Sequence, residues 1–182
     1  MNKALLLVDI QNDYFPGGRM ELAGMDEAAV RARELLDSFR ARQWPTYHIQ
    51  HVSMRKGASF FLPDTPGVEI HPSIMPLSGE TVIEKHFPNS FRDTGLKEVL
   101  AAAGVNELII CGAMSHMCID ASTRAAADLG FPCTVIHDAC ATRDLVFGDA
   151  VIPAAQVHGA FMAALAFFYA RVVSVEEFLS GL

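Results

Sequence analysis

Apolar residues fall along this chain in two alternating styles. Short continuous runs, Ala4–Asp9, Thr46–His51, Thr81–Glu84, Leu108–Ala113, Cys133–His137 and Val172–Val175, read as strands. Between them, helical spacing predicts helices over residues 25–42, 95–103, 118–129 and 150–168, with a short one at 176–179. In the first of these the apolar positions are Ala28, Val30, Leu35, Leu36 and Phe39, and Trp44-Pro45 lies just beyond its end. Strands alternating with helices imply parallel pairing through right-handed crossovers. The expected fold is α/β: a doubly wound, mostly parallel six-stranded sheet with helices on both faces, a Rossmann-like three-layer sandwich. A single domain over residues 1–182 is expected, since no repeat or linker divides the chain. The exception to the regular pattern is 52–80, where Gly57, Pro63, Pro66, Gly67, Pro72, Pro76 and Gly79 predict a long loop.

Composition changes this picture only at the edges. Apolar residues make up 51% and charged residues 19%, and the mean hydropathy is +0.26. Such a chain covers some of its apolar surface with a second copy, so a homo-oligomer, dimer or larger, is expected. A formal charge of −7 argues against nucleic acid or an anionic membrane as partner. The amino-terminal apolar run is too short for a signal peptide, and the run 159–170 is too short to span a bilayer, so a cytoplasmic protein is expected.

Candidate chemistry follows from the rule that ligands of open α/β sheets bind beyond the carboxyl ends of strands. Asp9 ends the first strand, Lys85 follows the third, and Cys118 lies where the fourth gives way to a helix. A thiol at a helix amino terminus gains thiolate character, and unpaired N–H groups there can receive an oxyanion. The other cysteines, Cys111, Cys133 and Cys140, show no paired spacing.

Three segments then resemble the motifs of the isochorismatase-like cysteine hydrolases, in order: Leu-Leu-Val-Asp-Ile-Gln-Asn-Asp-Tyr-Phe (6–15), Val-Ile-Glu-Lys-His-Phe-Pro-Asn-Ser-Phe (82–91) and Cys-Gly-Ala-Met-Ser-His-Met-Cys-Ile-Asp (111–120). The resemblance implies hydrolysis of a C–N bond in a small amide, ureide or related substrate. It assigns Cys118 as nucleophile, Asp9 as proton shuttle and Lys85 as the cation that lowers the thiol pKa. It also implies a cis peptide at Ala113-Met114 and an oxyanion hole from the Met114 and Cys118 N–H groups. Gln11, Tyr14, Phe60, Phe91, His116 and Met117 are the candidate substrate contacts, with Gln11 also readable as a strut that holds the loop after the first strand. Phe15, Phe61 and Phe87 are open between core and pocket wall, as is Asp13 between loop structure and site.

Two departures narrow the reading. Nicotinamidases of this family carry Asp-x-His after the second strand, where this chain has His48-Ile-Gln-His51, so no metal or other cofactor is expected. Members acting on isochorismate replace the cysteine, which is kept here. A non-catalytic or redox-sensing binding protein and a metal-dependent amidase remain as alternatives.

Overall fold

The computed structural model describes residues 2–182. Six strands form one sheet: β1 (Lys3–Val8), β2 (Thr46–His51), β3 (Thr81–Lys85), β4 (Glu107–Ala113), β5 (Cys133–Ala141) and, counting past a separate hairpin, β8 (Arg171–Val173). They lie in the order β3-β2-β1-β4-β5-β8, and every pairing is parallel. β1 is central and covered on both faces, which is why its residues read as an unbroken apolar run rather than an alternation.

The helices are α1 (Met25–Ala41), α2 (Leu96–Ala102), α3 (Asp120–Asp128), α4 (Ala154–Phe168) and α5 (Val175–Ser180). α1 buries Met25, Ala28, Ala29, Ala32, Leu35, Leu36 and Phe39, the stripe expected of a helix lying on a sheet. Each large side chain in that stripe contributes roughly 1.5–3 kcal/mol by leaving water. The chain moves one way along the sheet from β1 to β2 and the other way from β4 to β5, so right-handed crossovers put α1 and α3 on opposite faces. α5 packs with α1, where Phe178 faces Phe39 at 6.2 Å, and α4 packs with α3. The three-layer expectation therefore holds.

Several element boundaries differ, each for a local reason. The helix expected from residue 150 begins at Ala154; Leu145–Phe147 (β6) and Ala150–Ile152 (β7) instead pair as an antiparallel hairpin around Gly148, whose φ is +59°. Pro153 then sets the chain at the helix amino terminus. β5 continues four residues past His137, because its end pairs again with Gly112 and Ala113 after a register shift. The last strand ends before Ser174, whose side chain closes a capping box with Glu177 and starts α5.

The helix expected from Cys118 is entered earlier. Ser115–Ile119 form a π-helical turn that runs directly into α3, so Cys118 sits inside a continuous helical segment rather than at its first residue. Gly112 is indispensable to the approach: at φ +122°, a Cβ there would collide with the Val8 carbonyl of the neighbouring strand.

Candidate active site

β2 and β3 end level with one another, and β1 ends opposite Ile49, two residues short of them. Asp9 is the first residue beyond β1, its N–H donating to the Ile49 carbonyl at 3.0 Å. Its φ of +51° is a left-handed conformation that aspartate tolerates better than bulkier residues. His51 and Lys85 close β2 and β3 as direct register partners. The π-turn after β4 brings Cys118 to the same edge. Asp9 and Lys85 are wholly inaccessible, and Cys118 is 4% exposed.

Lys85 is the hub. Its Nζ donates to Asp9 Oδ2 at 2.7 Å and to the Phe87 carbonyl at 3.1 Å; it also lies 2.9 Å from His51 Nδ1 and 3.3 Å from Cys118 Sγ. Burial works against its charge, but the Asp9 carboxylate and the Cys118 sulfur outweigh it and raise its pKa. Asp9 Oδ1, by contrast, has no hydrogen-bond partner among the described residues.

The thiol corrects an expectation. Burial, reinforced by the Asp9 charge, pushes the Cys118 pKa up, and Lys85 offsets only part of this. Neither the helix nor the nearby ammonium makes a resting thiolate. The arrangement holds a protonated thiol, a carboxylate with a free oxygen and an ammonium touching both, which suits proton transfer from sulfur to oxygen with the cation steadying the product.

His51 belongs to this cluster, although in sequence it reads as an ordinary strand histidine. Burial, then the charges of Lys85 and His86 opposed by Asp9, lower its pKa to about 4. Atoms of Asp9, His51 and Cys118 lie within 4.8 Å of one another, a grouping with the donor types of a metal site. The Lys85 ammonium, however, is within hydrogen-bond reach of all three residues. The space a metal would need between these donors thus already holds a cation, and the donor set does not fit one. His48 lies elsewhere, its Nε2 3.0 Å from Glu80 Oε2.

The peptide bond between Ala113 and Met114 is cis. The Met114 carbonyl accepts from the N–H groups of Met117 (3.0 Å) and Ile119 (3.2 Å).

The other candidates divide. Tyr14 is buried beside the thiol and Asp9; burial first, then these neighbours, raise its pKa well above the ordinary value. It packs on Phe61 at 4.5 Å and Phe60 at 5.9 Å, so residues from 52–80 cover this edge of the sheet. Gln11 is a strut: its wholly buried amide donates to the His51 and Val68 carbonyls and accepts from the His51 N–H. Asp13 is another, accepting from the Arg19 and Phe61 N–H groups. Gly67 lies so close to the Asp13 side chain that any Cβ would collide with it. Phe91 faces Phe131 at 6.2 Å and lines an outer cleft with Thr94, Lys97 and Ala125, away from the thiol. His116 is engaged at 2.7 Å with Thr142 Oγ1, and Met117 is 40% exposed.

Comparisons with known proteins agree with this architecture. The profile described as Isochorismatase domain matches residues 3–176. An uncharacterized isochorismatase family protein of Bacillus subtilis, YddQ, is 52% identical over 98% of this chain and 99% of its own. A streptothricin hydrolase of Streptomyces noursei is 38% identical over 79% of this chain and 51% of its own. A crystal structure from Oleispira antarctica, assigned to the isochorismatase hydrolases, superposes with a TM-score of 0.95 at 52% identity, covering 99% of this chain and 97% of the other.

Proposed function

The chain belongs to the isochorismatase family, and on that premise we propose that it hydrolyses a C–N bond of a small amide or ureide through a thioester on Cys118, with no metal or other cofactor. The observation that carries this reading is the buried Lys85 ammonium, in contact at once with the Asp9 carboxylate and the Cys118 sulfur.

The chemistry balances with these residues alone. Asp9 takes the thiol proton as the sulfur attacks the substrate carbonyl carbon, and Lys85 stabilises the developing thiolate. The carbonyl oxygen becomes an oxyanion, received by the Met114 and Cys118 N–H groups. Collapse breaks the C–N bond as Asp9 returns the proton to the leaving amine. Water then attacks the thioester, giving its proton to Asp9; expulsion of the thiolate releases the acid, and Asp9 reprotonates the sulfur. Tyr14, Phe60 and Phe61 provide an apolar wall that keeps bulk water from the intermediate.

A protonated, buried thiol also argues against the redox-sensor alternative, because oxidation proceeds through an accessible thiolate. The test is hydrolysis of a panel of small amides and ureides, read as ammonia or amine released, with intact mass used to trap an acyl adduct. Wild type is expected to turn over at least one compound and to carry the adduct on Cys118. Turnover by Cys118→Ala at the wild-type rate would refute the mechanism.

A further inference from the structure

An ammonium has three protons to donate, and Lys85 Nζ has four acceptors around it: Asp9 Oδ2 at 2.7 Å, His51 Nδ1 at 2.9 Å, the Phe87 carbonyl at 3.1 Å and Cys118 Sγ at 3.3 Å. One acceptor must go short. A neutral thiol is the weakest of the four and the most distant, so at rest the carboxylate, the imidazole and the carbonyl hold the protons.

This fixes the state of His51. Lys85 only donates, so Nδ1 accepts and the ring proton sits on Nε2. The charged and titratable groups facing the ring are Asp9 just beyond β1, Lys85 at the end of β3, His86 just past it, and Cys118 from the π-turn; Phe61 packs beside it at 5.9 Å. The ring is neutral near pH 7, its pKa lowered to about 4 by burial first. Its position is rigid as well: the Gln11 amide grips the His51 backbone on both sides, N–H at 2.8 Å and carbonyl at 2.9 Å.

We propose that His51 is a positioning residue that withholds one Lys85 proton from the Cys118 sulfur, keeping the thiol protonated until Asp9 removes its proton during attack. This rests on the reading of Cys118 as nucleophile, yet it concerns the resting thiol and can be measured without a substrate. Removing the Nδ1 acceptor leaves three acceptors for three protons. The sulfur then receives a hydrogen bond from the ammonium and ionises more easily.

The experiment is the pH dependence of Cys118 alkylation by iodoacetamide, resolved by peptide mapping, in wild type, His51→Leu, His51→Asn and Lys85→Met. His51→Leu is expected to move the midpoint down by about one pH unit, making alkylation at fixed pH about tenfold faster. His51→Asn, whose Oδ1 stands in for Nδ1 as acceptor, is expected to return the midpoint to that of wild type. Lys85→Met is expected to move it up. A midpoint in His51→Leu that stays put or rises, or an Asn variant that behaves like Leu, overturns the proposal. Should His51→Leu lack a cooperative melt, His51→Phe carries the same comparison. An unmoved midpoint with hydrolysis lost in Cys118→Ala removes this role and keeps the mechanism. Hydrolysis surviving in Cys118→Ala removes the mechanism itself.

Discussion

Two charge clusters are built on the same pair of strands, and they end differently. At the carboxyl edge of β2 and β3, Lys85 meets Asp9 and His51; at the opposite edge, Arg40 meets Glu80 and His48. Each has a cation, a carboxylate and a neutral imidazole. In the second, Glu80 is saturated: Oε1 accepts from Arg40 Nε, and Oε2 from Arg40 Nη2, the Leu77 N–H and His48 Nε2. Burial opposes its charge, but the Arg40 fork and those N–H donors hold its pKa near 2. In the first, Asp9 keeps an oxygen without a partner among the described residues, and a thiol lies against the cation. The histidines also play opposite parts, His48 donating to a carboxylate and His51 accepting from an ammonium. A saturated cluster stabilises the fold, whereas one with unspent capacity can move a proton.

The largest test of that contrast is to disarm the reactive cluster. Cys118→Ala is expected to lower turnover about a thousandfold or more while barely moving the melting temperature. Asp9→Asn is expected to lose turnover to a similar degree and also stability, by roughly 3–5 kcal/mol, because Lys85 remains buried without its anion. The complementary break is Glu80→Ala, which leaves Arg40 and His48 without their acceptor. It is expected to cost about 2–3 kcal/mol in denaturant unfolding, with turnover per folded molecule unchanged.

Acid sharpens the comparison further. His51 has its folded pKa lowered from 6.5 to about 4, so the unfolded chain binds the extra proton first and stability falls as pH drops across that window. Glu80, depressed to about 2, loses its contribution only as pH falls below its ordinary 4.5. Between pH 6.5 and 4, wild type is therefore expected to lose roughly 2 kcal/mol more than His51→Asn, allowing for partial solvent access. The smallest effect lies on α4, whose exposed Phe167 and Phe168 continue an uncharged helix and are where a second copy is expected to dock. Phe167→Ser is expected to change unfolding by under about 0.5 kcal/mol; by light scattering the wild type is expected to be an oligomer and the variant to move toward a monomer, and a monomeric wild type would remove that expectation.

Much of the site was legible because Asp9, Lys85 and Cys118 each follow an apolar run, and run ends share one edge of a parallel sheet. The state of the thiol was not legible. A helix start and a nearby lysine point downward, but burial dominates, and burial is a property of the assembled layers rather than of the local string. A site role for His51 or for His48 stayed open in sequence because both sit on the same strand; only the register, which sets His51 against Lys85, separates them. Gln11 and Phe91 are engaged elsewhere for a similar reason: adjacency to a motif says nothing about where a side chain is spent. The start of α4 was misplaced because Val151 and Ile152 suit a hairpin as well as a helix.

The four acceptors around Lys85 come from chain positions 9, 51, 87 and 118, on segments that meet only when β3, β2, β1 and β4 have aligned. Parallel pairing of this kind closes long loops and is late in folding. A chain still emerging, or one briefly unfolded, therefore carries at Cys118 a thiol no different from its other three. Its distinctive chemistry arises at one moment, with the last of these alignments. Refolding followed by the reactivity of that single cysteine would report the completion of the sheet itself.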